Sequence, residues 1–204
     1  MDKRRMGPQH FLNPKPVVLV GTIVEEKPNF LTVSWLGSAS ANPPTIAVAI
    51  RNVRYSLKGI REHLAFSLNL PTADMVGMAD YCGSVSGATV DKVKACKLSV
   101  FGGNLRAAPM IEQCPINMEC EVLQFVEIGD HTLVIGTIRE TYVAEECLVN
   151  GMLDIEKLRP LCLCTTSSGL GDYYSLGEVV ASISAQQPLA SSPPAAVNIP
   201  PHGA

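Results

Sequence analysis

Between residues 51 and 56 the chain reads Arg51-Asn52-Val53-Arg54-Tyr55-Ser56, two guanidinium groups and a hydroxyl close together. Ser56 then opens the pattern Leu57, Ile60, Leu64, whose spacings of three and four predict the buried stripe of a short helix capped by Ser56. Guanidinium forks beside the free N–H groups of a helix start make an anion site, because both favour the charged form of a phosphate. These residue types point to a phosphorylated ligand. On these residues alone a second reading stays open, in which Ser56 merely caps the helix and the arginines are solvated.

The elements that must position this group are mostly strands. Asn29 to Trp35 alternates, which puts Thr32 and Ser34 on one hydroxyl-lined face and Leu31, Val33 and Trp35 on the other. Val17 to Val24 reads as its hairpin partner across a turn at Glu25 to Pro28. After the small residues Ser38 to Ala41, Thr45 to Ile50 is apolar or small throughout, as in a strand covered on both sides. Leu64 to Leu70 is a further strand, after which Thr72 or Asp74 can cap a helix whose Met75 and Met78 fill core space. Asp80 to Gly87 holds two glycines and two serines and reads as a non-helical loop, either an ordinary turn or a segment whose N–H groups approach a ligand. Asp91 to Lys94 opens a short amphipathic piece.

Ile116 to Glu127 is a long strand with Met118, Cys120 and Val122 on one side and Glu119 and Glu121 on the other. Gly129-Asp130 turns it into His131 to Val143, where Gly136 marks a possible bulge. Gly151 to Arg159 reads as a short helical insertion, Leu161 to Thr165 as a strand, and the residues after Tyr173 to Glu178 as a last helical stretch. The expected fold is mainly β: a barrel with short helices, running from residue 16 to 185 behind an N-terminal arm at 1–15. A Pro/Ala/Ser-rich tail at 186–204 is expected to be disordered.

With 47% hydrophobic and 17% charged residues in 204, the chain is globular, and a net charge of −3 leaves no general basic field for nucleic acid or an acidic membrane. Val17 to Val24 is the longest apolar run, well short of the roughly 20 residues of a membrane helix. The basic start lacks a cleavage site, so a soluble, cytoplasmic protein is expected. Seven cysteines without a Cys-x-x-Cys pair, and four scattered histidines, give no metal-ligand spacing and suit buried thiols in a reducing compartment. No Gly-x-Gly-x-x-Gly or Walker loop occurs, so a nucleotide would not be held by those devices.

In order, Val17-Val18-Leu19-Val20, Asn29-x-x-Thr32-x-Ser34-Trp35, Ser40-x-Asn42-Pro43-Pro44, Arg51 to Ser56, Asp91-Lys92 and Gly129-Asp130-His131 resemble the flavin reductase-like family with the FMN-binding split barrel, and its flavoredoxins in particular. The resemblance covers about Pro16 to Gly177; Ser56 stands where many members carry Thr. It implies a homodimer with one FMN per subunit near the dimer interface. The flavin would take hydride or electrons, from NAD(P)H or from a redox-protein donor, and pass them on. It also implies roles for residues. Asn29, Thr32, Val33, Ser34 and Trp35 would border the isoalloxazine and ribityl chain, and Arg51, Asn52, Val53, Arg54, Tyr55 and Ser56 would cradle ribityl and phosphate. Asn69, Cys82, Gly83, Ser86, Gly87 and Lys92 would complete the pocket. His131 would be the catalytic residue beside the nicotinamide or the reactive side of the flavin; a rim histidine that only packs the turn is the alternative. An NAD(P)H-dependent oxidoreductase and a flavoredoxin-like carrier both fit these residues.

Overall fold

The computed structural model describes residues 1–167 and 170–181; the expected tail lies outside them. A short strand β1 (Lys15–Pro16) precedes the hairpin of β2 (Val18–Val24) and β3 (Lys27–Val33), and a second hairpin joins β4 (Leu36–Ala41) to β5 (Pro44–Arg51). Helix α1 (Ser56–His63) and strand β6 (Ala65–Leu70) follow, then α2 (Val76–Ser84) and α3 (Lys92–Ala95). The two-residue strands β7 (Val100–Phe101) and β8 (Met110–Ile111) precede the long hairpin of β9 (Ile116–Ile128) and β10 (His131–Val143). A small hairpin of β11 (Leu148–Val149) and β12 (Met152–Leu153), helix α4 (Ile155–Leu158), and the pair β13 (Leu161–Ser167) and β14 (Leu170–Ser175) complete the described order.

Seven antiparallel strands form the main sheet in the order β3-β2-β6-β9-β10-β5-β4. Its two edge strands are consecutive in the chain. β3 pairs with β2 through Val33, and the same run of chain then crosses at Ser34 and Trp35 to pair with β5 from Leu36 onward. The Ala49 amide donates to the Trp35 carbonyl at 2.8 Å, which ties the crossing point to the opposite edge. This edge-switching strand bends the sheet round a core of Val18, Val20, Leu31, Val33, Val48, Ile50, Phe66 and Val134, the split barrel of the expected fold class.

Local details follow from residue chemistry. The β2–β3 turn is two residues long, with Glu25 and Glu26 both left-handed (φ 49° and 64°), the twist a tight hairpin needs. The β9–β10 register slips between Ile135 and Gly136, where a Cβ would meet the Phe66 ring at 2.7 Å, so the bulge lies where Phe66 packs closest. β5 buries Ile46, Val48 and Ile50, while Ala47 and Ala49 opposite stay half-buried, so only one of its faces is fully covered. The β2–β3 hairpin is covered on both faces instead. Leu19 and Phe30 face a second cluster with Cys82, Leu98, Ile111 and Cys114 beneath α2 and α3.

Several expectations need correction. Tyr55, not Ser56, precedes the first helical residue of α1, and no side chain caps it. Leu64 leaves the buried stripe: it is the left-handed residue that ends the helix, and it is exposed. α2 runs on through Ser84, so only Val85 onward is loop, because Gly83 costs the last helical turn less than the contacts of Cys82 beneath it return. Glu119 is fully buried under the loop between β7 and β8, where its Oε1 accepts from the Leu105 amide at 3.2 Å. The segment from Tyr173 is part of β14, residues 176–181 form no helix, and the rest of the expected helical stretch lies outside the described residues.

Helix α1 lies flat on β2 because Gly59 permits it: a Cβ there would sit 2.0 Å from the Ile23 carbonyl oxygen. Gly77, on the exposed side of α2, has nothing within 4 Å of such a Cβ. Gly59→Ala should lower unfolding stability in urea by about 2 kcal/mol or more, since backbone must move, whereas Gly77→Ala should raise it by about 0.5 to 1 kcal/mol through helix propensity.

Candidate functional site

β5 delivers Arg51 to the rim of the barrel, and the turn after it starts α1. The Arg54 amide donates to the Arg51 carbonyl at 2.9 Å, and Leu57 and Lys58 donate back to the carbonyls of Arg54 and Tyr55 at 3.0 and 3.2 Å. The turn is further pinned to the β9–β10 hairpin. The Asn52 amide donates to the Asp130 carbonyl at 2.9 Å, Asn52 Nδ2 donates to the Gly129 carbonyl at 3.3 Å, and the buried Thr132 hydroxyl lies 2.8 Å from Asn52 Oδ1. Arg61 pairs with Glu127 on the same hairpin, and that pairing holds the Glu127 carboxyl below its usual range. Asn52 is thus spent on holding the turn and lines neither of the two cavities described next.

Two cavities open beside this turn and share Leu31, Arg51 and Arg54. The larger, about 540 Å³, is bounded by Thr32, Val33, Ser34, Trp35, Ala49, Ile50, Asp130 and His131. Trp35 stacks on the His131 ring (centroids 5.0 Å apart, planes 13° apart), and the His10 ring of the N-terminal arm lies tilted against Trp35, also at 5.0 Å. His131 Nδ1 is 2.7 Å from Asp130 Oδ1, and this hydrogen bond keeps the Asp130 carboxyl below its ordinary range. Asp130 also faces Arg51 at 3.7 Å. The ring of His131 is therefore fixed on two sides.

The smaller cavity, about 180 Å³, is lined by Asn29, Val53, Tyr55, Ser56, Val85, Ser86, Gly87 and Lys92. Lys92 is only 3% exposed, and its Nζ donates to the Phe30 and Cys82 carbonyls at 2.8 and 2.7 Å. An ammonium has three donors, so one remains. Burial pushes the Lys92 ammonium below its ordinary value, and the nearby Arg54 charge acts the same way. Asn29 Nδ2 donates to the buried Ser56 hydroxyl at 2.7 Å, and Arg54 Nη1 donates to the Gly83 carbonyl at 3.0 Å. Gly87 passes so close that a Cβ would lie 1.9 Å from Asn29 Oδ1 and 3.1 Å from the Tyr55 ring.

Most residues singled out from the sequence thus meet along one groove, but not all. Asn69 is fully buried at the far side of β6. It donates to the Leu19 carbonyl, and its Oδ1 accepts from the Ile111 amide and Asn117 at 2.9 and 2.8 Å. The Cys82 side chain is buried beneath α2, away from both cavities, and only its carbonyl serves the site through Lys92. Thr32 spends its hydroxyl on the Ala79 carbonyl. Gly83 instead borders a third cavity of about 270 Å³ that shares Thr32, Ser34 and Arg54 with the groove. Asp80 and Tyr173, which line that third cavity and bond each other at 3.1 Å, were not singled out, nor were Leu31 and Asp130. Asp130 had a signal, its place beside His131; Tyr173 had none, since only the fold of β14 brings it there.

The flavin reductase like domain model matches residues 11–162, and the chain belongs to the flavin reductase-like family. Among solved structures it is similar to the flavoredoxin of Methanosarcina acetivorans, with 36% identity, a TM-score of 0.83, and 89% of this chain and 95% of that chain covered. A flavoredoxin of Desulfovibrio vulgaris (Miyazaki F) gives 33%, 0.82, and 89% and 97%. An FMN-binding protein from Thermus thermophilus gives 28%, 0.72, and 90% and 99%. The protein is thus a flavin reductase-like flavoprotein, and the groove fits a flavin. An aromatic-walled compartment there shares Leu31, Arg51 and Arg54 with a narrow one that holds a buried ammonium, and Gly87 leaves in the narrow one the space a side chain would take. Gly87→Ala should therefore displace Asn29 and lower flavin affinity by roughly tenfold or more in a fluorescence titration; unchanged affinity would show that this close approach is not part of the site.

Proposed function

We propose that each subunit binds one FMN along this groove, with the ring system in the Trp35–His131 compartment and the phosphate in the Lys92–Ser56 compartment. The observation that carries the reading is that the two cavities share Leu31, Arg51 and Arg54, so that a compartment walled by Leu31, Val33 and Trp35 lies beside the fixed cations Arg54 and Lys92. A phosphate brings about −1.5 to −2 charges, which suits a buried ammonium and a guanidinium already held by a carbonyl. FMN supplies redox chemistry, accepting hydride or electrons and passing them on.

The chain's own residues bind, shield and position. Arg54 and Lys92 hold the phosphate, with the Ser56 hydroxyl kept in place by Asn29. Leu31 and Val33 give the ring compartment its apolar wall. Asp130 engages Nδ1 of His131, which leaves Nε2 to hold or deliver a proton at the rim. NAD(P)H is the favoured donor in this reading. A flavoredoxin-like carrier between redox proteins is the second reading, favoured by the likeness to two flavoredoxins. The subunits pair as homodimers, a reading supported by the exposed Val149, Met152, Leu153 and Ile155 on the β11–α4 segment.

Three measurements test these assignments. Arg54→Ala should weaken FMN much more than riboflavin in parallel titrations, and equal weakening would make Arg54 structural. Anaerobic stopped-flow mixing of the FMN-loaded protein with NADPH or NADH should bleach the flavin, and His131→Ala should slow this by about tenfold, roughly 1.4 kcal/mol of transition-state stabilisation, with FMN binding intact. No bleaching with either nucleotide would favour the carrier. Light scattering at micromolar concentration should give twice the 21.8 kDa chain mass, and a monomer mass would refute the dimer.

A further inference from the structure

Five of the seven cysteines, Cys82 among them, are buried, Cys96 and Cys164 are partly exposed, and the flavin reading uses none of the thiols. Two of the seven stand in contact: Cys82 Sγ on α2 and Cys96 Sγ, at the end of α3, are 4.0 Å apart. Cys82 is fully buried, whereas Cys96 is partly exposed. They are fourteen residues apart, on separate elements that meet over the cluster containing Leu19, Phe30 and Leu98. Cys114 packs into the same cluster and is itself buried.

We infer that Cys82 and Cys96 form an oxidisable dithiol site whose substrates are low-molecular-weight disulfides. Cys96 is the entry point because solvent reaches it. Its thiolate attacks the external disulfide, forming a mixed disulfide and releasing one thiol. Cys82 Sγ then attacks Cys96 Sγ, gives up its proton to the departing thiolate, and releases the second thiol. Two protein thiols and one disulfide thus become one protein disulfide and two small thiols, with electrons and protons balanced.

The geometry suits this order of events. A disulfide brings its sulfurs to about 2.0 Å, so the pair must close by about 2 Å. The yielding partner is α3, a single turn that ends at a left-handed Lys97 (φ 53°). Cys82 is poorly suited to attack first, since burial raises its thiol to about 12, with Cys96 beside it acting in the same direction. As the second nucleophile it needs only contact, which it has. Lys92 lies four residues before Cys96 and donates to the Cys82 carbonyl. The disulfide would therefore fasten α3, with Lys92, to α2.

Trypsin separates the three cysteines of this cluster, cutting after Arg61, Lys92, Lys94, Lys97, Arg106 and Arg139. The full chain, incubated with hydroxyethyl disulfide and then blocked with iodoacetamide, should lose two hydrogens and yield Glu62–Lys92 linked to Ala95–Lys97. In Cys82→Ser the reaction should stop at hydroxyethyl thiol attached to Cys96, and Cys96→Ser should leave Cys82 unmodified. A wild-type chain that recovers all seven alkylated cysteines, or that links Glu62–Lys92 to Ala107–Arg139 through Cys114, overturns the proposal. These readouts need no flavin, so they stand apart from the test of FMN binding.

Discussion

The backbone hydrogen bond from Ala49 to the Trp35 carbonyl fixes the point at which one strand run leaves one edge of the sheet and joins the other. The groove depends on this crossing. Before it, Leu31 and Val33 point into the barrel and form the apolar wall; after it, Leu36 pairs with Val48 and holds β5 alongside. At the crossing itself the chain cannot continue its pairing with β2, so Ser34 and Trp35 are turned out to the rim. There Trp35 stacks on His131, which begins the strand paired with β5 on its other side.

The second constraint is electrostatic. Placing an ammonium where it is 3% exposed costs several kcal/mol unless partners compensate. Two carbonyls, of Phe30 and Cys82, supply part of that compensation, and the third donor points to a demand that an anion meets. Arg54, tethered to the Gly83 carbonyl, adds a second positive charge to the same cavity. The same tethers hold the two like charges in place against their mutual repulsion. Because the carbonyls come from β3 and α2, the charge site depends on the helix packing over the hairpin through Phe30 and Cys82. Fold stability and anion binding are therefore linked at Lys92.

What could be read in the sequence was whatever depends on near neighbours. Alternation gave the long hairpin of β9 and β10 to within a residue or two, since those two strands pair with each other across a two-residue turn, whereas their outer partners β6 and β5 come from far earlier in the chain. Arg54, Ser56 and Lys92 were legible because charge and hydroxyl types carry their chemistry wherever they fold. Polarity alone does not separate a ligand donor from a group the fold uses for its own bonds. Asn69 looks like a ligand donor, yet it is fully buried and its amide is saturated by partners on β2, β6, β8 and β9; Asn52 stays exposed but is tied to the β9–β10 turn about 80 residues away. Glu119 alternates as a solvent residue, and only the Gly102 to Pro109 loop makes it interior. The helical run through Gly83 was hidden because burial of Cys82 outweighs a weak local propensity.

The account stands or falls on one ligand spanning both compartments, and the chain carries its own reporter, since Trp35 is the only tryptophan. Wild-type protein freed of flavin can be titrated with FMN and, separately, with riboflavin while Trp35 emission is followed. The expected result is quenching to the same end point by both, at one equivalent, with FMN bound at least about tenfold more tightly. Equal affinities would remove the phosphate from the Lys92 compartment, and saturation without quenching would remove the ring from Trp35.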